Sequence, residues 1–570
     1  MSNISSIACI SEILSIVCEC ADRSTLALMA RSSRVLHEPS IQVLWRTLPD
    51  LVPLVMCFPG DAWVLVPPDM YRRGTLYFTR ALSPRDWASF LKHSSLVRVL
   101  GYGYSDSNPL RHSSFPIWWG SISLPPTLWE TLCIYRPTHL LFPNLSVLHW
   151  SSMILPNNTL ASFLLSIGHC LRKLDVQYFT LQEDNAGIYI AVLYTIIDLF
   201  PNLRHFAFHQ SEPTPQLWSY IQELIPDLLD SFSSLVSFDT MGMPLTDIEL
   251  IALGRSEKLS SLTLQLSDVI TWPSGTSLSA LSRPFQGLRR LRVCGTMQEY
   301  GDLNKIIHLP AVCKASIQLC EPHFPLTMPF AVFVASLPQQ LNPSTLTVLT
   351  INNILPPMAA SHDEVEATTV RSDDLRPLLE FTRLESFTLH ALGTISLDDA
   401  FLFEMAASWP ALRMLTLVCL EYGPTSHKTT RRAGLTLPSL PGLVSLAFLC
   451  INLQEISLCL DATCWNSHTA FLQAVESGEV YGELRNKHSL CQLHTFSANN
   501  SSITSPESVT AFLSHIFPKL IRVCSYSSSG NNDEYEAWRA VDTYFATRAR
   551  RQTEAWVRDY GSDSDSDAEY

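Results

Sequence analysis

One phrase recurs five times along this chain: a large apolar residue, proline, any residue, leucine, two variable residues, then a second apolar residue. The copies begin Phe142-Pro143-Asn144-Leu145, Phe200-Pro201-Asn202-Leu203, Trp409-Pro410-Ala411-Leu412, Leu440-Pro441-Gly442-Leu443 and Phe517-Pro518-Lys519-Leu520. Proline fixes φ and cannot continue a helix, and it pushes the residue before it toward extended geometry. The leucine run that follows puts its apolar side chains on one side of a short strand. A helix that stops and a strand that starts, repeated at intervals, is the mark of a stacked repeat. The strand half recurs more often than the proline. Leu145/Leu148/Trp150, Leu171/Leu174/Val176, Leu203/Phe206/Phe208, Leu259/Leu262/Leu264, Leu288/Leu291/Val293, Leu346/Leu349/Ile351, Leu384/Phe387/Leu389, Leu412/Leu415/Leu417 and Leu443/Leu446/Phe448 all keep a 3-then-2 spacing. Looser copies stand at Trp129/Leu132/Ile134, Leu235/Phe238, Val312/Ala315/Ile317, Leu490/Leu493 and Leu520/Val523. The chain is 46% hydrophobic, so one copy would arise by chance, but a series at near-even intervals would not.

A stacked repeat also resolves a conflict of size. The chain has 570 residues, too many for one core, whereas a solenoid adds length without enlarging any single core. The formal net charge is −14, with Lys and Arg scattered, which argues against nucleic acid or an anionic membrane as the main partner. Fifteen cysteines show no C-x-x-C spacing, and several (Cys133, Cys294, Cys419, Cys450) fall inside apolar runs. They read as thiols of a reducing compartment. The longest apolar stretch, Ile188 to Phe200, contains Asp198 and falls short of the roughly 20 residues a bilayer requires. The N-terminus lacks a basic segment and carries Glu12, unlike a secretory signal. The expectation is a soluble protein of the cytoplasm, the nucleus or both.

Five regions are expected. Residues 1–48 form a small all-α domain of three helices, the second capped by Asp22 and the last ending at Leu44-Trp45-Arg46. Residues 49–125 hold a linker and irregular first repeats, and residues 126–532 the repeat array. Within the array, helices are expected at Ala191–Phe200, Asp399–Ser408 and Ser508–Phe517. Surface insertions are expected at Ser361–Asp374 and Glu421–Arg432, the latter with Lys428, Arg431 and Arg432. Residues 533–555 supply a capping helix with Tyr535, Trp538, Val541 and Phe545 on its inner face. Residues 556–570 form a disordered acidic tail in which Ser562, Ser564 and Ser566 each precede an aspartate.

No catalytic or cofactor-binding pattern emerges: no Gly-rich phosphate loop, no nucleophile elbow, no H-E-x-x-H and no metal-spaced Cys/His set. Cys18-Glu19-Cys20 lies within a predicted helix, and His308, Cys320 and His323 fit no zinc spacing. The functional surface follows from the strands instead. Residues alternating with the buried leucines face outward on the concave side of the sheet. Arg172, Lys173, Asp175, Arg204, His205, Arg289, Arg290, Arg292 and Arg413 belong there. A basic stripe in an acidic protein suits an acidic or phosphorylated partner segment; the alternative is a set of solvated strand positions with no partner.

The N-terminal run Ile10-Ser11-Glu12-Ile13-Leu14, followed by Asp22-Arg23-Ser24-Thr25-Leu26-Ala27, Ala30-Arg31 and Leu44-Trp45, resembles a divergent F-box. With the repeats behind it, the chain is similar to the F-box/leucine-rich-repeat proteins. The resemblance implies an α/β leucine-rich-repeat solenoid, a horseshoe, behind a small helical F-box. It also implies a non-enzymatic role as the substrate-recognition subunit of an SCF-type (cullin–RING) ubiquitin ligase. The F-box would bind the adaptor and, through it, the cullin assembly, and the horseshoe would hold a protein target. Carried over by position, Ile10, Ile13, Leu14, Val17, Leu26 and Ala30 face the adaptor, and Trp45 packs the F-box onto the first repeat. Two departures stand out. The family's usual Leu-Pro opening is Cys9-Ile10 here. Its Asn or Cys after each strand is replaced by Met153, Phe179, Ser267, Ile354, Leu392 and Leu420, which predicts an irregular array. An interaction scaffold without ligase association is the rival reading.

Overall fold

The computed structural model describes residues 11–67, 74–101, 122–151, 159–179, 186–210, 224–245, 247–266, 285–307, 309–320, 328–353, 369–391, 394–419, 436–463, 491–499, 501–525 and 532–561. They fall into two compact units, Met1–Gln265 and Leu266–Tyr570. Both units are α/β and repeat-built, of the leucine-rich-repeat type.

In the first unit, helices Ser11–Cys20, Arg23–Ser32 and Arg34–Arg46 come first. Asp22 caps the second as expected, its Oδ1 accepting the Thr25 N–H at 2.9 Å. Ser33 does the same for Val35 at the third. Leu14, Cys18 and Leu26 turn inward, and Arg46 ties the third helix to Glu19 of the first at 2.7 Å. The chain then enters a parallel ladder. Thr47–Leu48, Val99–Leu100, Val147–Ser151, Lys173–Phe179, His205–Gln210, Ser237–Pro244 and Ser261–Gln265 pair in that order. Trp45 stacks on His93 with ring centroids 4.2 Å apart. That contact joins the helical segment to the first strands, the position the sequence assigned to it. A small second sheet, Trp63–Val66, Gly74–Phe78 and Ile122–Ser123, lies within the stretch read as irregular first repeats.

In the second unit Arg290–Gly295, Lys314–Leu319, Val348–Asn353, Ser386–Ala391, Met414–Cys419, Glu455–Ser457, Thr495–Ser497 and Arg522–Cys524 form a parallel ladder. The register lines up one buried row across all of them: Leu291, Ala315, Leu349, Phe387, Leu415, Ile456, Phe496 and Val523. A second row runs Val293, Ile317, Ile351, Leu389 and Leu417. Strands buried on one face in this way cannot slip by a residue without turning the whole row to solvent.

The recurring phrase has a defined geometry. Its large apolar residue is the C-cap of the preceding helix: the Trp409 N–H reaches the Met405 carbonyl at 2.9 Å, and the Phe517 N–H reaches Leu513 at 2.8 Å. That residue takes an extended ψ, 60° at Trp409 and 78° at Phe517, as proline demands of its predecessor. The phrase leucine then donates its N–H back to the same residue's carbonyl, closing a β-turn with proline in its second position. Leu203 to Phe200 and Leu412 to Trp409 are 3.0 Å, and Leu520 to Phe517 is 3.1 Å. Phe232/Leu235, Phe381/Leu384 and Cys450/Leu453 make the same turn without proline.

Two readings of the phrase require correction. Leu443/Leu446/Phe448 lie on the helix Leu443–Leu449, and Trp129/Leu132/Ile134 on the helix Pro126–Tyr135, not on strands. Proline is as well suited to the start of a helix as to the turn after one, and residues at i and i+3 share a helix face as readily as a strand run. The strand of that later repeat is Glu455–Ser457, flanked by buried Leu453 and Leu458. Leu493, Phe496 and Ala498 form the buried set of the following strand, while Leu490 lies outside the described residues.

Helices Ala186–Leu199, Asp399–Ser408 and Pro506–Ile516 stand where helices were expected. The array is irregular: strands range from two to eight residues, and two short side ladders, Val370–Arg371 with Ile395–Ser396 and Asp461–Ala462 with Ser502–Ile503, interrupt it. The last helix, Asn532–Gly561, buries Trp538, Val541 and Phe545; Tyr535, expected on the same face, is exposed. Asp542 Oδ1 accepts the Val523 N–H at 2.9 Å, so the edge strand's outward donor is satisfied by the cap rather than left open to another chain. The helix also runs through residues 556–561, assigned above to the tail, because Trp556 and Val557 continue it to Gly561. Residues 562–570, with Ser562, Ser564 and Ser566, lie outside the described residues. So do Glu421–Arg432, residues 361–368, and Met153, Ser267, Ile354, Leu392 and Leu420.

Candidate functional site

Two kinds of surface are candidates: the outer side of the N-terminal helices and the outward-facing rows of the two ladders. The helices carry more aliphatic surface than they bury. Ile13, Ile16 and Val17 occupy i, i+3 and i+4 of the first helix and so share one side, with Ile16 61% exposed. Leu28 of the second helix is 65% exposed, and Val35 opens to solvent at the start of the third. Of the positions expected to face an adaptor, Ile13 and Val17 do lie on the surface. Leu14 and Leu26 do not. Both point into the helical core, because the side of the first helix that holds Leu14 also holds Cys18, and Cys18 packs 3.6 Å from the Ser40 hydroxyl. Ala30 is partly exposed, and Ile10 lies outside the described residues. Ile16, Leu28 and Val35 were missed, since helical spacing alone does not say which of two apolar sides is turned inward. Cys18 is buried and Cys20 exposed, ordinary helix positions on different sides.

The ladder of the first unit presents a row His149, Asp175, Ala207, Asp239 and Thr263, register partners in sequence. Asp175 was expected to be open to a partner but is 6% exposed. His149 Nδ1 donates to its Oδ2 at 3.0 Å and Gln177 Nε2 donates to the same oxygen at 3.2 Å. A buried carboxylate requires such donors, so Asp175 holds neighbouring strands together and contacts no visitor. Farther along, His209 Nε2 lies 3.3 Å from Asp239 Oδ1. Burial by itself would raise the Asp239 carboxyl, but His209, the Thr263 hydroxyl and the Met241 N–H outweigh it and hold the group below its ordinary value.

At the start of the same strands Arg98, Arg172 and Arg204 are exposed, with Lys173 and His205 half-buried beside them as direct register partners. Partial burial lowers His205, and the adjacent charges of Lys173 and Arg204 lower it further, so the imidazole is held toward its neutral form. Four of the expected partner-binding residues thus stand together in this unit.

In the second unit Arg289, Arg290 and Arg292 are exposed, and the register brings Lys314, which the leucine spacing had not singled out, directly opposite Arg290. Arg292 Nη2 donates to Gln318 Oε1 at 3.2 Å. Arg413 stands farther along the ladder and is engaged by Glu385 at 3.5 Å, so it does not extend the cluster. The middle outward row continues as Ser316, Thr350, Thr388 and Thr416, small hydroxyl residues that leave the sheet surface open beside the arginines. The Cys294 and Cys320 sulfurs lie 3.4 Å apart at the far end of these strands.

Among the described residues no three His, Cys, Asp or Glu side chains are grouped to hold a metal, and no helix is long and apolar enough to cross a membrane. Buried thiols are not poised as nucleophiles: burial, aided by Cys491 nearby, pushes Cys450 up to about 12, and burial pushes Cys57 up to about 11.

No protein-family model matches the chain, and no curated relative is found. Solved structures similar to it include an internalin, InlF, from Listeria monocytogenes, with 15% identity, a TM-score of 0.26, and coverage of 65% of this chain and 89% of that one. A plant peptide hormone receptor, RGFR1, in complex with RGF2 gives 13% identity and a TM-score of 0.26 over 77% of this chain and 56% of its own. The leucine-rich-repeat-containing protein LegL7 from Legionella pneumophila gives 12% and 0.25 over 50% and 87%. At these scores no residue or activity is transferred, and the repeat assignment rests on the turns and strand register described above.

Proposed function

We propose that this chain is a non-enzymatic substrate receptor of an SCF-type ubiquitin ligase. Its N-terminal helices dock on the ligase adaptor, its ladders hold a protein target, and another subunit performs the chemistry by proximity. The observation that carries this reading is the exposed aliphatic side formed by Ile13, Ile16, Val17, Leu28 and Val35 on three short, capped helices. Contiguous apolar surface of that kind is a mark of an interaction site, and it lies in the segment whose residues resemble an F-box. Trp45 gives the docked segment a fixed attachment to the first ladder through its stack on His93.

A second reading, an interaction scaffold without ligase association, is favoured by Cys9-Ile10 in place of Leu-Pro. Co-purification of the full chain with the adaptor separates the two. Retention by wild type, and its loss in an Ile16→Asp/Leu28→Asp variant that still unfolds cooperatively, supports the receptor. Wild-type chain that retains no adaptor leaves the scaffold.

A further inference from the structure

The outward face of the first two strands of the second unit concentrates positive charge that the fold leaves unanswered. Arg289, Arg290, Arg292 and Lys314 are all exposed, and none of them has a carboxylate within ion-pair distance among the described residues. Arg290 and Lys314 are direct partners in the parallel register. Like charges placed opposite each other on a sheet are unfavourable, and they persist here in a chain of net charge −14. Elsewhere on the same ladder the one arginine in a comparable position, Arg413, has been given Glu385.

Spacing narrows what would answer the charge. Arg290 and Arg292 alternate along one strand, so their side chains leave the sheet about 6.6 Å apart. That is also the separation of every second side chain in an extended peptide. Arg292 is steadied by Gln318, and its guanidinium offers planar donors suited to phosphate or carboxylate oxygens. The hydroxyl row beginning at Ser316 adds short side chains that do not obstruct a visiting backbone.

We infer that this surface binds an extended segment of a partner protein bearing phosphate or carboxylate groups at every second residue, the first two seated on Arg290 and Arg292 with Lys314 flanking. The inference deepens the target-holding part of the proposed function and is independent of adaptor docking. The test uses the full chain and a fluorescent ten-residue peptide alternating phosphoserine with alanine. It is compared with the unphosphorylated peptide, with a peptide of equal charge whose phosphoserines are adjacent, and with a ten-nucleotide single-stranded RNA.

The alternating phosphopeptide should bind at least about tenfold tighter than each of the others. Arg290→Glu/Arg292→Glu should remove that preference, and the milder Arg290→Gln/Arg292→Gln should weaken it, both with an unchanged unfolding midpoint. Arg413→Gln, which alters a paired arginine, should leave binding as in wild type. Equal binding by the reversed-charge variant, equal binding of the adjacent-phosphate peptide, or tighter binding of the RNA overturns the inference. Adaptor retention measured on the same samples keeps the two proposals apart: lost peptide binding with retained adaptor removes only this one.

Discussion

Removing the Trp538 indole tests whether the second unit behaves as a stack of repeats. Trp538 is 1% exposed, its ring lies against Phe496 with centroids 6.2 Å apart, and its Nε1 donates to the Ser501 carbonyl at 2.8 Å. Trp538→Ala deletes a fully buried large aromatic, worth about 3–5 kcal/mol, and orphans a carbonyl for about 1 kcal/mol more. A single cooperative core would spread that loss of about 4–6 kcal/mol over every amide. A solenoid would not, because each repeat touches only its neighbours and the terminal ones fray first. Hydrogen exchange followed by mass spectrometry reads the difference. In Trp538→Ala the amides of Thr495–Ser497 and Arg522–Cys524 should exchange at least about a hundredfold faster, while those of Lys314–Leu319 and Val348–Asn353 keep wild-type rates. Uniform acceleration across the unit, or none at the terminal strands, would refute both the capping role and the repeat energetics.

Two further outcomes are expected in the first unit. Gly101 has φ of +87°, and a Cβ built there would stand 2.0 Å from the His149 carbonyl oxygen, so Gly101→Ala should lower the unit's thermal midpoint by about 4–8 °C; an unchanged midpoint contradicts the close approach. Burial pushes the Asp50 carboxyl up to about 6 from an ordinary 3.8, the Val52 N–H only partly opposing it. Between those values the folded state keeps a proton that the unfolded chain has released, so stability falls as pH rises from about 4 to 6, by at most about 3 kcal/mol. Asp50→Asn preserves the acceptor for Val52 and should flatten that part of the denaturation-versus-pH curve; equal slopes in both proteins would show that Asp50 is not the group responsible.

The repeat was legible because its signal is local. A helix stop, a turn and a buried leucine row are written within ten residues, and the register simply aligns them. The same local pattern misled at Leu443 and Trp129, where proline opens a helix instead of following one; telling the two apart requires knowing what lies on the other side of the segment. Long-range facts were harder to read. Asp175 looked like an outward charge until His149 and Gln177, on a neighbouring strand and its own, were found to enclose it. Lys314 became part of the basic cluster only through its register with Arg290. On the N-terminal helices the apolar residues were visible, but which side is buried is decided by Cys18 meeting Ser40 across the bundle.

The central claim is that the N-terminal helices present an adaptor-docking face. Calorimetric titration of the purified full chain with the purified SCF adaptor measures it directly. The account predicts saturable one-to-one binding that falls at least about a hundredfold in an Ile13→Asp/Val17→Asp variant, while Leu26→Ala, buried inside the bundle, acts through stability rather than through contact. No heat of binding with the folded wild-type chain, or binding indifferent to the Ile13 and Val17 charges, would contradict it.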